Sequence, residues 1–553
     1  MWEAALSSAD IAATNAAERT SARLVSLEAL ARLGRNAEIE RRLFRWSDET
    51  DEHFRFWRAR AHVCAGEFNL ALEALEEPFA DKGLSLPARF LKACALAAIG
   101  KRAEALGLIS PGDLDGRQGP VSEDAGLLMG ELLHDAGRNA EACGLLSPLA
   151  DHAERKEVRL RAGYLLGFAE MADESSRTAG VARVRGLLRS APGEKVSVQA
   201  ARTFADSLLA YGDAAGADDE YRRYLEIAPV AATDPDILSR RGRALFLLGR
   251  HSEAIGFFAR AEQLSTDPPK KALAAFCQAE AFLADRHYPE AAESFARSAG
   301  YGGDGVERAR FAEADALERA GDSGTAESIY GELERKGGEW GAKASLRLAA
   351  IDVRRGRIGV AVDRYDGLIA SNRLAGADMT EAYLGRGRAC YKGYRFAEAA
   401  ESFKVVAKRE PRLSDGMRFL EALCLYGAGM DVDAKAVATS LMSSTKDMDF
   451  RTDLMLWCAK YEYNHGKYED ARTYFETYAN LRPASPDAAS ALLWAARSSA
   501  AMMDYSKAVD FATRAANTAS TNREFFVEVL LVQGEALMAP GPSGSCVAAL
   551  PNS

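Results

Sequence analysis

Residues 240–268 read RRGRALFLLGRHSEAIGFFARAEQLSTDP. Apolar residues recur every three or four positions up to Leu248, stop at Gly249, and resume as far as Leu264. That spacing predicts two amphipathic helices. The turn between them belongs to Gly249, which can take the left-handed conformation that closes a helix. Ala254 and Phe258, four residues apart, lie one turn apart on one face of the second helix. The small residue lets the two helices approach, and the ring fills the space between one pair and the next.

The same pair recurs down the chain: Ala217/Tyr221, Ala291/Phe295, Ala326/Tyr330, Ala361/Tyr365, Ala399/Phe403 and Ala471/Phe475. Steps between the alanines are 37, 37, 35, 35, 38 and 72, the last being two periods with Ala434 between; Ala508 follows 37 further on. A glycine stands five residues before most of the small anchors, as Gly66, Gly100, Gly137, Gly212, Gly249, Gly321, Gly356, Gly429 and Gly466. Residues 203–229, 387–411 and 458–483 repeat the helix–break–helix pattern and end in Pro229, Pro411 and Pro483, where a helix must stop. A fixed period with glycine and alanine in register is the mark of a stacked array. Each unit of such an array leans on its neighbours, and no single central core is required. No alternating strand pattern survives beyond a few residues, so the expected class is all-α.

The pattern resembles the tetratricopeptide repeat family, a helix–turn–helix unit with small residues at its eighth and twentieth places and an aromatic at its twenty-fourth. Residues 240–268 match with Gly242, Gly249, Ala254, Phe258 and Ala261, the proline arriving late at Pro268. Residues 380–411 match with Tyr383, Gly387, Ala399, Phe403 and Pro411, but Tyr394 stands where the turn glycine belongs. The fourth-place tryptophan is missing, the period is long, and 158–190 is barely recognisable. The resemblance implies a right-handed α-α superhelix of about 14 hairpins, a divergent member of the family.

It also implies a concave groove lined by the first helix of each unit. Projected from the alanine anchors, the twelfth place gives Tyr391, Tyr426 and Tyr463, and the ninth gives Arg388, Leu423, Lys460 and Arg497. Tyrosine and arginine are the commonest residues at binding hot spots, so these six polar and aromatic positions form the expected peptide-binding groove. Further back the ninth place holds Asp206, Arg243, Glu280 and Asp315, a mixed to acidic stretch. The family's asparagine clamp for a terminal carboxylate has no counterpart at the ninth place here. Trp457 and Trp494 read as packing between helices.

Composition narrows the functions. The 553 residues carry a formal net charge of −10, which argues against a general nucleic-acid binder. No apolar run reaches the ~20 residues of a membrane span, and the start lacks the signature of a signal peptide. Eight scattered cysteines form no zinc or redox spacing. No metalloprotease, nucleophile-elbow or phosphate-loop motif is present. GYGGDG at 300–305 matches a dinucleotide pattern in letters alone, since no strand precedes it. The reading is therefore non-enzymatic, with no cofactor and no metal.

Four segments are expected: degenerate repeats over 1–190, the main array over 191–523, an unpaired helix over 524–538, and a disordered, truncated tail over 539–553. GLISPGDLDGRQGPVSED (107–124) reads as the longest loop, and DESSRTAGVARV (173–184) as an interruption of a weak unit. The function expected is a cytoplasmic scaffold that holds a peptide or helix of a protein partner. Two alternatives stand beside it: a bacterial periplasmic assembly factor whose signal peptide is missing, and a regulatory protein that has lost an effector domain. An uncapped last helix also offers an apolar patch for self-association.

Overall fold

The computed structural model describes residues 1–14, 19–47, 49–114, 120–518 and 523–539. The expected disordered tail lies outside the described residues apart from Ala539. Thirty α-helices and three short 3-10 turns account for the described secondary structure, with no strand among the described residues. The chain groups into two units, Met1–Gly302 and Gly303–Ser553. The first holds helix Trp2–Ala12 followed by eight helical hairpins; the second holds six hairpins followed by helix Arg523–Met538. That makes the fourteen hairpins expected from the period.

The hairpin turn repeats in atomic detail. At Gly249 (φ 74°) the next amide, Arg250 N, donates back to Leu245 O at 2.9 Å, a six-residue loop that caps the first helix. Lys467 N does the same to Glu462 O at 2.9 Å beside Gly466. Ten of the turns use glycine in this left-handed state, from Gly34 to Gly466. Three do not. Arg286, Tyr394 and Met503 occupy the same turn position at φ 62°, 59° and 59°, and the amides that follow make the same return bonds. A side chain in that region costs about 1–2 kcal/mol, so packing on both sides imposes the turn whichever residue sits there.

The alanines from Ala217 to Ala508 in the repeating series are all fully buried, and the aromatic four residues on is buried in each unit that has one. Rings reach glycines on the facing helix. A Cβ at Gly242 would stand 2.9 Å from the Phe258 ring, and one at Gly387 would stand 2.8 Å from Phe403. In the earlier hairpins Leu75, Ile109 and Leu146 take the aromatic's place, each buried, and Leu146 fills the notch at Gly130. Helices end where the prolines require: Ala214–Ile227 before Pro229, Phe396–Arg409 before Pro411, Tyr468–Leu481 before Pro483.

Residues 158–190 are a complete hairpin, helices Lys156–Ala172 and Arg177–Ser190, so 173–184 contains a turn and the start of a helix. Gly180 replaces the anchor alanine and Val184 the aromatic; a Cβ on Gly180 would sit 2.5 Å from Gly167 O. Its turn uses side chains in place of glycine: the Ser176 amide donates to the Asp173 carboxylate at 3.2 Å, and the Ser176 hydroxyl to Glu170 O at 2.8 Å. One apolar cluster runs from Leu160 to Ala244, across position 190. Of the expected loop at 107–124, Pro120 already opens helix Pro120–Asp135, and 115–119 lie outside the described residues.

Candidate functional site

The six groove residues all lie in the second unit, on the first helices of successive hairpins. Arg388 and Tyr391 are on Gly376–Lys392, Tyr426 on Ser414–Gly427, Lys460 and Tyr463 on Met448–Asn464, and Arg497 on Ala488–Ala501. Helical spacing turns the ninth and twelfth places of each helix to one side. The buried faces of these helices are taken by small residues such as Gly387, Ala389, Cys390, Ala422, Cys424, Cys458 and Ala459. Arg388, Tyr391, Tyr426 and Lys460 lie on the exposed side of their helices.

Two of the three tyrosines contact a tryptophan on the next first helix. Tyr426, exposed at 39%, meets the edge of Trp457 at 5.9 Å on the next first helix. Tyr463 meets Trp494 at 4.9 Å on the one after, and Arg497 lies over the Trp494 ring at 4.7 Å. Both tryptophans thus pack between helices, and in doing so they support the tyrosines. Tyr391, 47% exposed, packs edge-on to Phe396 at 5.7 Å. Tyr463 is the least open of the three and joins the apolar cluster around Trp494 and Phe475.

Charge divides the basic residues. Arg497 is ion-paired to Glu528 of helix Arg523–Met538. Arg388 and Lys460 are exposed and make no ion pair or hydrogen bond among the described residues. The other charged ninth-place residues behave like Arg497: Asp206 pairs with Arg240 at 2.8 Å, Arg243 with Glu280 at 3.7 Å, and Asp315 with Arg319 at 2.8 Å. Asp206 also accepts from the Tyr221 hydroxyl at 2.5 Å, which ties the ninth place of one hairpin to its own core ring.

Beside Arg388 the face deepens into a cleft of about 410 Å3 between helices Gly338–Arg354, Gly376–Lys392 and Ser414–Gly427. Its floor is Val353, Leu384, Leu420 and the rings of Tyr365 and Phe403. Gly385 shapes it, because a Cβ there would stand 2.4 Å from the Tyr365 ring. Burial, joined by the nearby Glu381 carboxylate, pushes the Tyr365 phenol up to about 12, so it stays a neutral donor. Arg354, Arg388, Lys392 and Glu381 stand around the opening. Sequence reasoning missed Tyr365, Gly385, Arg354 and Lys392. The one visible signal was a second glycine in LGRGRA (384–389), where the repeat pattern requires one.

Next to Tyr426, the stack Trp457–Tyr461–His465 continues along one helix, with rings 5.7 and 4.1 Å apart. His465 Nδ1 lies 2.8 Å from Tyr461 O and Nε2 lies 2.9 Å from the Asp431 carboxylate. Both ring nitrogens face acceptors, so the doubly protonated ring fits best. The Tyr461 carbonyl first, and then Asp431, raise its pKa above the ordinary histidine value. Buried Cys458 is held as a thiol, its pKa pushed up to about 11 by burial.

Among the described residues, no group of three His, Cys, Asp or Glu side chains could hold a metal ion, and no helix is long and apolar enough to cross a membrane. Residues 346–413 and 459–523 match the family described as tetratricopeptide repeat. No curated protein matches the sequence. Among solved structures, the APC/C hetero-tetramer Cut9-Hcn1 aligns over 87% of this chain and 93% of its own, at 14% identity and a TM-score of 0.28. Yeast Tom70 aligns over 80% and 96%, at 14% identity and a TM-score of 0.30. Both scores are low, and the fold rests on the hairpins themselves and on the family match.

Proposed function

The chain is a tetratricopeptide-repeat protein, and from that premise we propose that it is a non-catalytic scaffold holding a partner's peptide or helix against the first helices of its last hairpins. The observation that carries this is the recurrence of Tyr391, Tyr426 and Tyr463 at one place on successive first helices, the last two packed on Trp457 and Trp494 of the next first helix, with the open cations Arg388 and Lys460 beside them. Half-exposed aromatics held rigid by neighbours lose little entropy on binding and offer large contact areas. A structural role alone would favour burying them, as Tyr221 and Tyr330 are buried.

The test uses Tyr391→Ala and Tyr426→Ala together, since both are exposed and neither belongs to the packed cluster around Tyr463. Binding to partners captured by the native chain falls, while helix content and melting stay unchanged. An unaltered set of captured proteins would refute the reading.

A further inference from the structure

The cleft beside Arg388 has an apolar floor and an unbalanced rim. Of the charged residues on its lining, Arg354 is already ion-paired to Glu318, and Glu381 pairs with Arg347 at 3.6 Å. Arg388 and Lys392 remain, both exposed and without ion pair or hydrogen bond among the described residues. Lys392 sits in the last turn of its helix, where the dipole favours a cation. Arg388 lies a full turn earlier and has no such reason to be basic. From residue 206 onward, every other charged ninth-place residue except Lys460 is ion-paired within the protein.

Two free cations over Leu384, Leu420 and Phe403 match a particular ligand chemistry. A guanidinium and an ammonium prefer carboxylates, and the floor prefers a hydrocarbon or a ring. The volume suits one or two side chains and lies toward the small end of ligand pockets. A basic segment would meet net positive charge, and a purely polar one would leave the floor wet.

We propose that this cleft receives an apolar or aromatic side chain of an acidic peptide segment, with the flanking carboxylates on Arg388 and Lys392. The proposal rests on the groove reading above and names the chemistry of its occupant. The side chain enters between the three first helices, and the acidic neighbours set its direction along the tyrosine run.

The test is fluorescence anisotropy on the full chain with three labelled probes: Asp-Asp-Phe-Asp-Asp, Lys-Lys-Phe-Lys-Lys and Asp-Asp-Ser-Asp-Asp, each amidated and acetylated. The phenylalanine-bearing acidic probe binds at least about tenfold tighter than either of the others, and added salt weakens it. The double charge reversal R388E/K392E abolishes that preference, whereas R388K/K392R largely keeps it. Both pairs change exposed side chains only, and circular dichroism checks that the helices remain. Equal binding of the basic probe, no binding of the acidic one, or indifference to R388E/K392E overturns the proposal. If the acidic probe ignores Arg388 yet loses affinity with Tyr426→Ala, which lies outside the cleft lining, the groove reading stands and the cleft assignment falls. If neither variant matters, both fall.

Discussion

Hairpins between residues 195 and 300 and those between 376 and 481 share one plan and use the same helix position in opposite ways. In the earlier stretch the ninth-place residues are spent inside the protein, as Asp206 with Arg240 and Arg243 with Glu280. In the later stretch Arg388 and Lys460 face outward with nothing to answer them, beside tyrosines that are half open. The array demands only its turn, its small anchors and its filling side chain. Everything on the first-helix face is left to other uses. One region spends it on cohesion, and the other keeps it for contact.

The plan itself breaks most severely at the filling ring. Phe403→Ala empties the space against Gly387 and costs about 3–5 kcal/mol, read as a lower denaturant midpoint. Leu146→Ala, the aliphatic counterpart against Gly130, costs about 2–5 kcal/mol by the same measure. Similar losses would show that hairpins filled by a ring and hairpins filled by an aliphatic side chain rest on one packing rule. Indifference at either site would show that they do not.

Tyr394 sharpens the comparison with opposite sign. It holds a left-handed turn that glycine holds in most hairpins, and 81% of its surface is exposed. Tyr394→Gly removes the conformational penalty and gains about 1 kcal/mol after glycine's own entropy cost. Thermal unfolding of the two chains checks it, and a loss of stability would mean that the ring has a structural task.

Charge removal separates the regions at smaller scale. Arg243→Ala costs up to about 1 kcal/mol, because its pair with Glu280 is partly exposed. Arg388→Ala leaves stability unchanged in the same denaturation experiment, since no internal bond is lost.

The smallest effect depends on pH. The His465 pKa is raised in the folded chain by the Tyr461 carbonyl and Asp431, with Glu462 also nearby. A raised folded value means the contribution is complete below the ordinary histidine pKa of about 6.5 and fades as pH rises through the folded value. Native chain and His465→Gln are compared by unfolding midpoint across that range. Their difference shrinks toward high pH, and a difference that grew would reverse the assignment.

Much of this was legible because the period is local. Gly249, Ala254 and Phe258 announce a hairpin within ten residues, and the twelfth-place tyrosines follow by counting. The hairpin at 156–190 escaped because Gly180 and Val184 stand in for the alanine and the ring, while Asp173 and Ser176 close a turn without glycine. The cleft escaped for a different reason. Its lining comes from three hairpins, and its depth depends on Tyr365 lying against Gly385, a contact between elements twenty residues apart. The pairing of Arg497 was equally hidden, since Glu528 belongs to helix Arg523–Met538, two helices further on.

Hydrogen exchange on the full chain, with and without the acidic phenylalanine probe, addresses the division of labour most directly. Added protection is expected in helices Gly376–Lys392, Ser414–Gly427 and Met448–Asn464, with none between residues 195 and 300. Protection in that earlier stretch, or confined to the second helices of the later hairpins, would contradict it.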